Sequence, residues 1–227
     1  MTKVRVKISG RRLLMDKMDD ETLKGLVTRN SKQVDNDRTF EQIAAAKIYK
    51  DDEGRVGLTA NMLFASLVAA GTMVPMKGKK NISKADGSSL LPGFFDIEEE
   101  FLPFDLPKSG KEIPWKVALY AGRNPATGGA AGLVRPLFLD WSLSVTCEFD
   151  EKEIDQSKIK ALFEKAGRYH GLGSWRPSCG GRHGKFKVLS WEVLHTDGHA
   201  TATDEDDVDS DVETDGVEAV ELELATA

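Results

Sequence analysis

Between residues 171 and 188 the chain reads Gly171-Leu172-Gly173-Ser174-Trp175-Arg176-Pro177-Ser178-Cys179-Gly180-Gly181-Arg182-His183-Gly184-Lys185-Phe186-Lys187-Val188. This segment gathers more chemistry than any other. Its five glycines allow left-handed backbone and close approach to a ligand. Arg176, Arg182, Lys185 and Lys187 supply cations suited to phosphate oxygens. Trp175 offers a face on which a base or a guanidinium can stack. His183, and His170 just before the segment, are the two residues that could move a proton. A plain helix-to-strand connection needs few glycines and no cluster of bases, so the pattern favours binding of a polyanion.

The remaining reactive residue types are less eloquent. Cys147 falls on the apolar phase of a strand pattern and reads as a small core residue. Cys179 is an ordinary loop residue with only His170 and His183 near it in sequence. Neither has a second cysteine at zinc-site spacing, so no metal and no cofactor is expected. Asp51-Asp52-Glu53-Gly54 begins like a calcium loop but lacks the later ligands. Gly122 to Gly132 is glycine-rich like a phosphate loop, yet it lacks the Gly-Lys-Ser/Thr ending and the following helix, and reads as a hairpin tip. Glu98-Glu99-Glu100 reads as a solvated run. No paired-carboxylate site or nucleophile triad stands out.

Charge sharpens the picture. The 227 residues carry a formal net charge of −6, from 37 acids and 31 Lys and Arg. Eleven of the acids lie in residues 201–227, which hold no Lys or Arg, so the other 26 acids against 31 bases leave +5 on residues 1–200. A basic body with an acidic tail fits a protein that handles nucleic acid, the tail competing with phosphate for the basic surface. No apolar run is long enough for a membrane span, and Met1-Thr2-Lys3-Val4-Arg5 has no signal-peptide core, so a cytoplasmic protein with no membrane partner is expected.

The elements that must position these residues follow from periodicity. Lys3 to Ile8 alternates strictly, burying Val4, Val6 and Ile8 and setting Lys3, Arg5 and Lys7 in a basic row on the other face, with Gly10 as its end. Residues 16–38 are polar and irregular. Thr39 can cap a helix running to about Tyr49, and Thr59 one from Ala60 to Ala70, apolar nearly all round and stopped by Gly71. A basic loop over 75–93 carries Lys77, Lys79, Lys80 and Lys84. Strands are expected over Phe94–Leu102, Trp115–Tyr120, Leu139–Phe149 and Lys185–Leu194. A helix over Asp155–Ala166 has its apolar stripe on Ile159, Leu162, Phe163 and Ala166. The strand–helix–strand–strand–helix–strand order predicts an α+β fold of ferredoxin-like (RRM-like) type, an antiparallel sheet with helices on one face. It would occupy residues 1–199, with insertions at 75–93 and 103–135 and a disordered acidic tail over 200–227.

The Gly-x-Gly start and the Gly-x-Phe-x-Val finish, set between the last helix and the last strand, resemble the glycine-rich loop of the RAMP superfamily, the RNA-binding proteins that build CRISPR effector backbones. Glu41 to Ala70, with Thr59-Ala60-Asn61 opening an apolar helix, is similar to the pre-helix segment of its backbone-forming members. The Trp-Arg-Pro element resembles RAMP-like proteins carried by bacteriophages, which would place the protein in a bacterial host cell. The resemblance matches Gly171, Gly173, Gly181 and Gly184 to the loop glycines, and Arg176 and Arg182 to its basic positions. Ser174 to Cys179 is longer and less basic than the family loop. The resemblance implies a non-catalytic binder of single-stranded nucleic acid, RNA in preference to DNA, assembling along the strand as a homo-oligomer or in a multi-subunit complex. Two alternatives stay open. One is a metal-independent endoribonuclease using His170 or His183. The other is an inhibitor or protein-interaction module acting through the acidic tail.

Overall fold

The computed structural model describes residues 1–18, 38–77, 80–107, 110, 113–123 and 128–194. The acidic tail, and most of the polar stretch 16–38, lie outside the described residues. In chain order the elements are β1 (Thr2–Leu14), α1 (Phe40–Ala46), β2 (Gly57–Thr59), α2 (Ala60–Ala70), β3 (Pro75–Lys77), β4 (Lys80–Asn81), β5 (Phe95–Ile97), β6 (Phe101–Pro103), β7 (Trp115–Arg123), β8 (Ala130–Phe149), α3 (Gln156–Lys165) and β9 (Lys187–Leu194). The protein is of mixed α+β class with antiparallel sheets. The main sheet runs β5-β8-β1-β9, and β7 pairs with the other end of β8.

β1 is the axis of the fold. Its alternating valines and isoleucine give Val4, Val6 and Ile8 no exposure at all. Removing each such side chain from water stabilises the fold by roughly 1.5–3 kcal/mol. They share a face with Val145, Cys147 and Phe149 of β8, since Val4 lies opposite Cys147 and Val6 opposite Val145. Both longer helices cover this face. Phe64 of α2 meets Phe95 of β5 at 6.2 Å, and Phe163 of α3 sets its edge on Trp191 of β9 at 5.9 Å. Among the described residues no helix packs on the opposite face, which carries Lys3, Arg5, Lys7 and Ser9.

Several boundaries depart from the sequence reading. Gly10 does not end β1. A Cβ there would strike the Lys185 carbonyl and the Trp141 ring, so glycine lets the strand pass close to the loop after α3 and continue to Leu14. β8 starts nine residues before Leu139, because the glycine-rich stretch pairs back on β7 as far as Arg123 opposite Ala130; the turn at 124–127 lies outside the described residues. From Trp141 to Phe149 the alternate apolar positions are buried, with Thr146 buried on the other face, and the pattern changes at Asp140, whose φ of 50° turns the pleat. Before it Phe138 is buried, and Leu139 is only half-buried. Phe94–Leu102 divides into β5 and β6, and β6 leaves the main sheet to pair with β2. The loop 75–93 holds the β3–β4 hairpin. The helix after Thr39 stops at Ala46, closed at its start by a capping box in which Thr39 and Gln42 bond each other's backbone. Among the described residues no helix is long and apolar enough to cross a membrane.

Candidate nucleic-acid interface

The glycine-rich segment is built by docking onto the end of β1. The Leu172 N–H donates to the Gly184 carbonyl at 2.9 Å and closes the loop on itself. The Gly184 N–H donates to the Arg12 carbonyl at 2.7 Å, and the Ser174 N–H to the Leu14 carbonyl at 2.8 Å. Leu172 and Phe186 are buried and anchor the two ends. At Gly184, where φ is +71°, a Cβ would run into the Leu172 carbonyl; at Gly181 it would run into that of Trp175. These two glycines serve the packing of the loop itself. Gly171 and Gly173 line a cleft described below.

This docking creates a basic groove of about 570 Å³ on the uncovered side of the sheet. Ser9, Gly10, Arg11 and Arg12 form one wall, and Arg182, Lys185, Phe186 and Lys187 the other. Lys187 lies directly opposite Ser9 in the β1–β9 ladder, which fixes the register of the two walls. All five cations are exposed. No carboxylate lines the groove, and none of the five has an ion-pair partner among the described residues. Arg11 and Arg12 were missed in the sequence because Gly10 reads as a strand end. The signal that could have found them is Leu13-Leu14-Met15, which continues the apolar demand past the glycine.

The other basic residues do not join this groove as one surface. Lys3 is held by Glu98 at 2.8 Å and Glu148 at 3.6 Å, and Lys7 by Asp105 at 2.9 Å. Its hydrogen bond to Glu98 raises the pKa of Lys3. Arg5, between them, stays exposed, with Thr146 and Glu192 opposite. Glu98 and Glu100 are exposed and Glu99 is half-buried, and the run also makes specific contacts. Glu98 pairs with Lys3, and the Glu99 carboxylate accepts the Thr146 N–H at 2.9 Å on the β8 edge. Lys80 is exposed at the β3–β4 hairpin, which lies on the helical side, since Lys158 of α3 donates to the Met76 carbonyl. Lys79 and the side chain of Lys77 lie outside the described residues.

Trp175 is engaged within the protein. Its ring sits 4.5 Å from that of Tyr120, and the Arg135 guanidinium lies 6.0 Å from its centroid. Arg135 is buried and donates to Asp16 at 2.6 Å. His183 is 3 % exposed, behind the groove wall, with Nε2 3.4 Å from the Tyr120 hydroxyl. Burial, with Arg182 and Arg12 beside it, lowers the His183 pKa and keeps the ring neutral.

On the other side of the loop, a cleft of about 490 Å³ separates it from α2. His170 ends a π-turn at Ala166–His170 and forms part of the lining. Burial, and then the Arg176 charge, lower its pKa. Both ring nitrogens are buried and have no hydrogen-bond partner among the described residues. Arg176 is exposed and, among the described residues, bonds the Ser178 hydroxyl at 2.9 Å and the Gly173 carbonyl at 3.0 Å. The loop thus brings Arg182, Lys185 and Lys187 together in the groove and leaves Arg176 and His170 in the cleft. Among the described residues no group of His, Cys, Asp and Glu side chains is placed to hold a metal ion.

No protein-family model matches this sequence, and no curated protein matches it.

Proposed function

We propose that this protein is a non-catalytic binder of single-stranded nucleic acid, RNA in preference to DNA, which it holds along the groove between the end of β1 and the glycine-rich loop. The observation that carries the reading is the groove's charge: five exposed cations from two chain segments, with no carboxylate among the described residues that line it. Exposed guanidinium and ammonium groups without internal partners keep their full attraction for phosphates, and release of counterions drives the binding. The lining is a strand end and a loop, which suits a single strand better than a duplex, whose recognition needs an element that enters a groove or spans it.

The architecture we assign to the reading is ferredoxin-like. It is supported by the strand order β5-β8-β1-β9, antiparallel throughout, with α2 before β5 and α3 before β9 on one face. Membership of the RAMP superfamily, the preference for RNA, and assembly of several copies along the strand rest on the loop's resemblance. The uncovered face at Lys3 and Lys7 contributes less than sequence alone suggests, because those two ammonium groups already hold carboxylates.

The test is fluorescence anisotropy with a labelled single-stranded RNA and the DNA of the same sequence, over a range of salt. Binding should fall steeply with salt, with a log–log slope of up to about −3.5 if five phosphates are met at roughly 0.7 each. A slope near zero, or binding unchanged in an Arg11→Ala, Arg182→Ala, Lys187→Ala variant, would remove the groove from the reading.

A further inference from the structure

We propose that the cleft between α2 and the glycine-rich loop is a second, separate binding site, one that takes a single phosphate-bearing nucleotide unit. The cleft is about 490 Å³, within the roughly 300–1,000 Å³ typical of small-ligand sites. Its two walls differ in chemistry. Along α2, Met62, Ala65 and Ala69 recur at helical spacing and present a smooth apolar strip, with the Asn61 amide one turn before Ala65. The facing loop presents Arg176, Ser174 and Ser178.

The walls are fixed to one another at the base. The Ser66 hydroxyl donates to the Gly171 carbonyl at 3.1 Å, in a buried contact, so the opening between α2 and the loop does not depend on surface side chains. Among the described residues Arg176 meets no carboxylate across it, and its exposed guanidinium stays available to an anion. Asp16, at the cleft's rim, is already committed to Arg135 at 2.6 Å and Lys47 at 3.5 Å, which cancels the repulsion it would exert.

A flat apolar ring on one side and a phosphate on the other is the shape these walls accept. The ring would lie on the Met62–Ala65–Ala69 strip, and the Asn61 amide, both donor and acceptor, would read its edge. The phosphate would face Arg176, whose planar fork suits phosphate oxygens. His170 lines the cleft with both ring nitrogens buried, which suits a wall and not a proton carrier.

Two sources could supply such a unit: a free mononucleotide, or the phosphorylated end of the strand held in the groove. Only the second rests on the function proposed above. The variants separate them. Ala65 is exposed, so Ala65→Phe fills the cleft without disturbing the core. Arg176→Ala removes its cation. Arg182→Ala with Lys187→Ala weakens the groove and leaves the cleft intact.

The experiment is calorimetric titration of the full chain with 5′-AMP, beside anisotropy of a ten-nucleotide RNA carrying a 5′-phosphate or a 5′-hydroxyl. If the free nucleotide is the ligand, 5′-AMP binds, weakens about tenfold or more in Arg176→Ala and Ala65→Phe, and changes less than twofold in the groove variant; tenfold corresponds to about 1.4 kcal/mol, a charge-assisted hydrogen bond. If the strand end is the ligand, the 5′-phosphate tightens RNA binding by a similar factor, and Ala65→Phe abolishes that gain. Should neither the mononucleotide nor the phosphorylated RNA respond to Ala65→Phe, the cleft site is refuted. Loss of RNA binding in the groove variant alone would leave the groove standing in that case.

Discussion

The Gly184 amide donates to the Arg12 carbonyl at 2.7 Å, and with the Ser174–Leu14 bond it joins the glycine-rich loop to the end of β1. It brings Arg182 and Lys185, from the loop, beside Arg11 and Arg12, from a strand 170 residues earlier in the chain. That contact holds the two walls of the groove together, and position 184 tolerates no side chain because the Leu172 carbonyl fills its Cβ site.

Two glycines of the loop should therefore differ sharply on substitution. Gly184 has a φ of +71° and its Cβ site is filled by the Leu172 carbonyl. Gly180 has a φ of +72° and nothing within 4 Å of the same site. Gly180→Ala should cost only the left-handed penalty, about 1–2 kcal/mol. Gly184→Ala adds displacement of backbone and should cost ~3 kcal/mol or more. Urea denaturation of the two variants measures the difference; equal losses would mean that the loop is not clamped at Gly184.

Asp16 and Arg135 form an ion pair buried on the arginine side, with the guanidinium side chain 11 % exposed and the Asp16 side chain 35 % exposed. Asp16→Asn should destabilise by ~2–4 kcal/mol, because it leaves a buried charge without its counterion. Asp16→Asn with Arg135→Met should recover much of that loss. A double-mutant cycle by thermal melting gives the coupling, and a cycle near zero would show that Lys47 and solvent already satisfy Asp16.

His183 links the loop to pH. Its folded pKa lies below the ordinary 6.5, first through burial and then through Arg182 and Arg12. The unfolded chain therefore takes up the proton more readily than the folded one. Stability from this residue is complete above about pH 6.5 and is lost as pH falls below it toward the folded pKa. The melting temperature should decline between pH 6.5 and 5, and His183→Asn should flatten part of that decline. His170 has the same sign and contributes to the same slope, so the His170→Asn, His183→Asn double variant should flatten it further.

Much of the frame can be read from residue types alone. Strict alternation in Lys3–Ile8 found β1, and the stripe of Ile159, Leu162 and Phe163 found α3, because burial on one face leaves a fixed period. The glycines and bases of 171–187 marked the loop. What the linear pattern hides is pairing. Glu98, Glu148 and Asp105 are distant in sequence from Lys3 and Lys7, yet strand register sets them alongside and occupies the basic row. Trp175 looked like a stacking platform until Tyr120, carried in by the β7–β8 hairpin, took one of its faces. Arg11 and Arg12 sit after a glycine that serves close packing and not termination, a difference visible only when Lys185 and Trp141 are in place.

The same register separates strong from weak cations on the uncovered face. Arg182→Ala with Lys187→Ala should lower single-strand affinity by about tenfold or more at low salt and reduce the log–log salt slope by roughly 1.4, two phosphates at about 0.7 each. Lys3→Ala with Lys7→Ala should change affinity less than threefold, because ion pairing has already claimed both groups. Anisotropy on matched RNA decides between them. A larger effect from Lys3 and Lys7 would move the interface from the groove to the middle of the sheet.

The most direct measurement is ultraviolet crosslinking of a single-stranded RNA to the full chain, with the modified peptides identified by mass spectrometry. The groove predicts crosslinks in peptides from Ser9–Arg12 and Arg182–Val188, diminished in Arg11→Ala, Arg12→Ala. Crosslinks confined to other surfaces, or none at low salt, would contradict it.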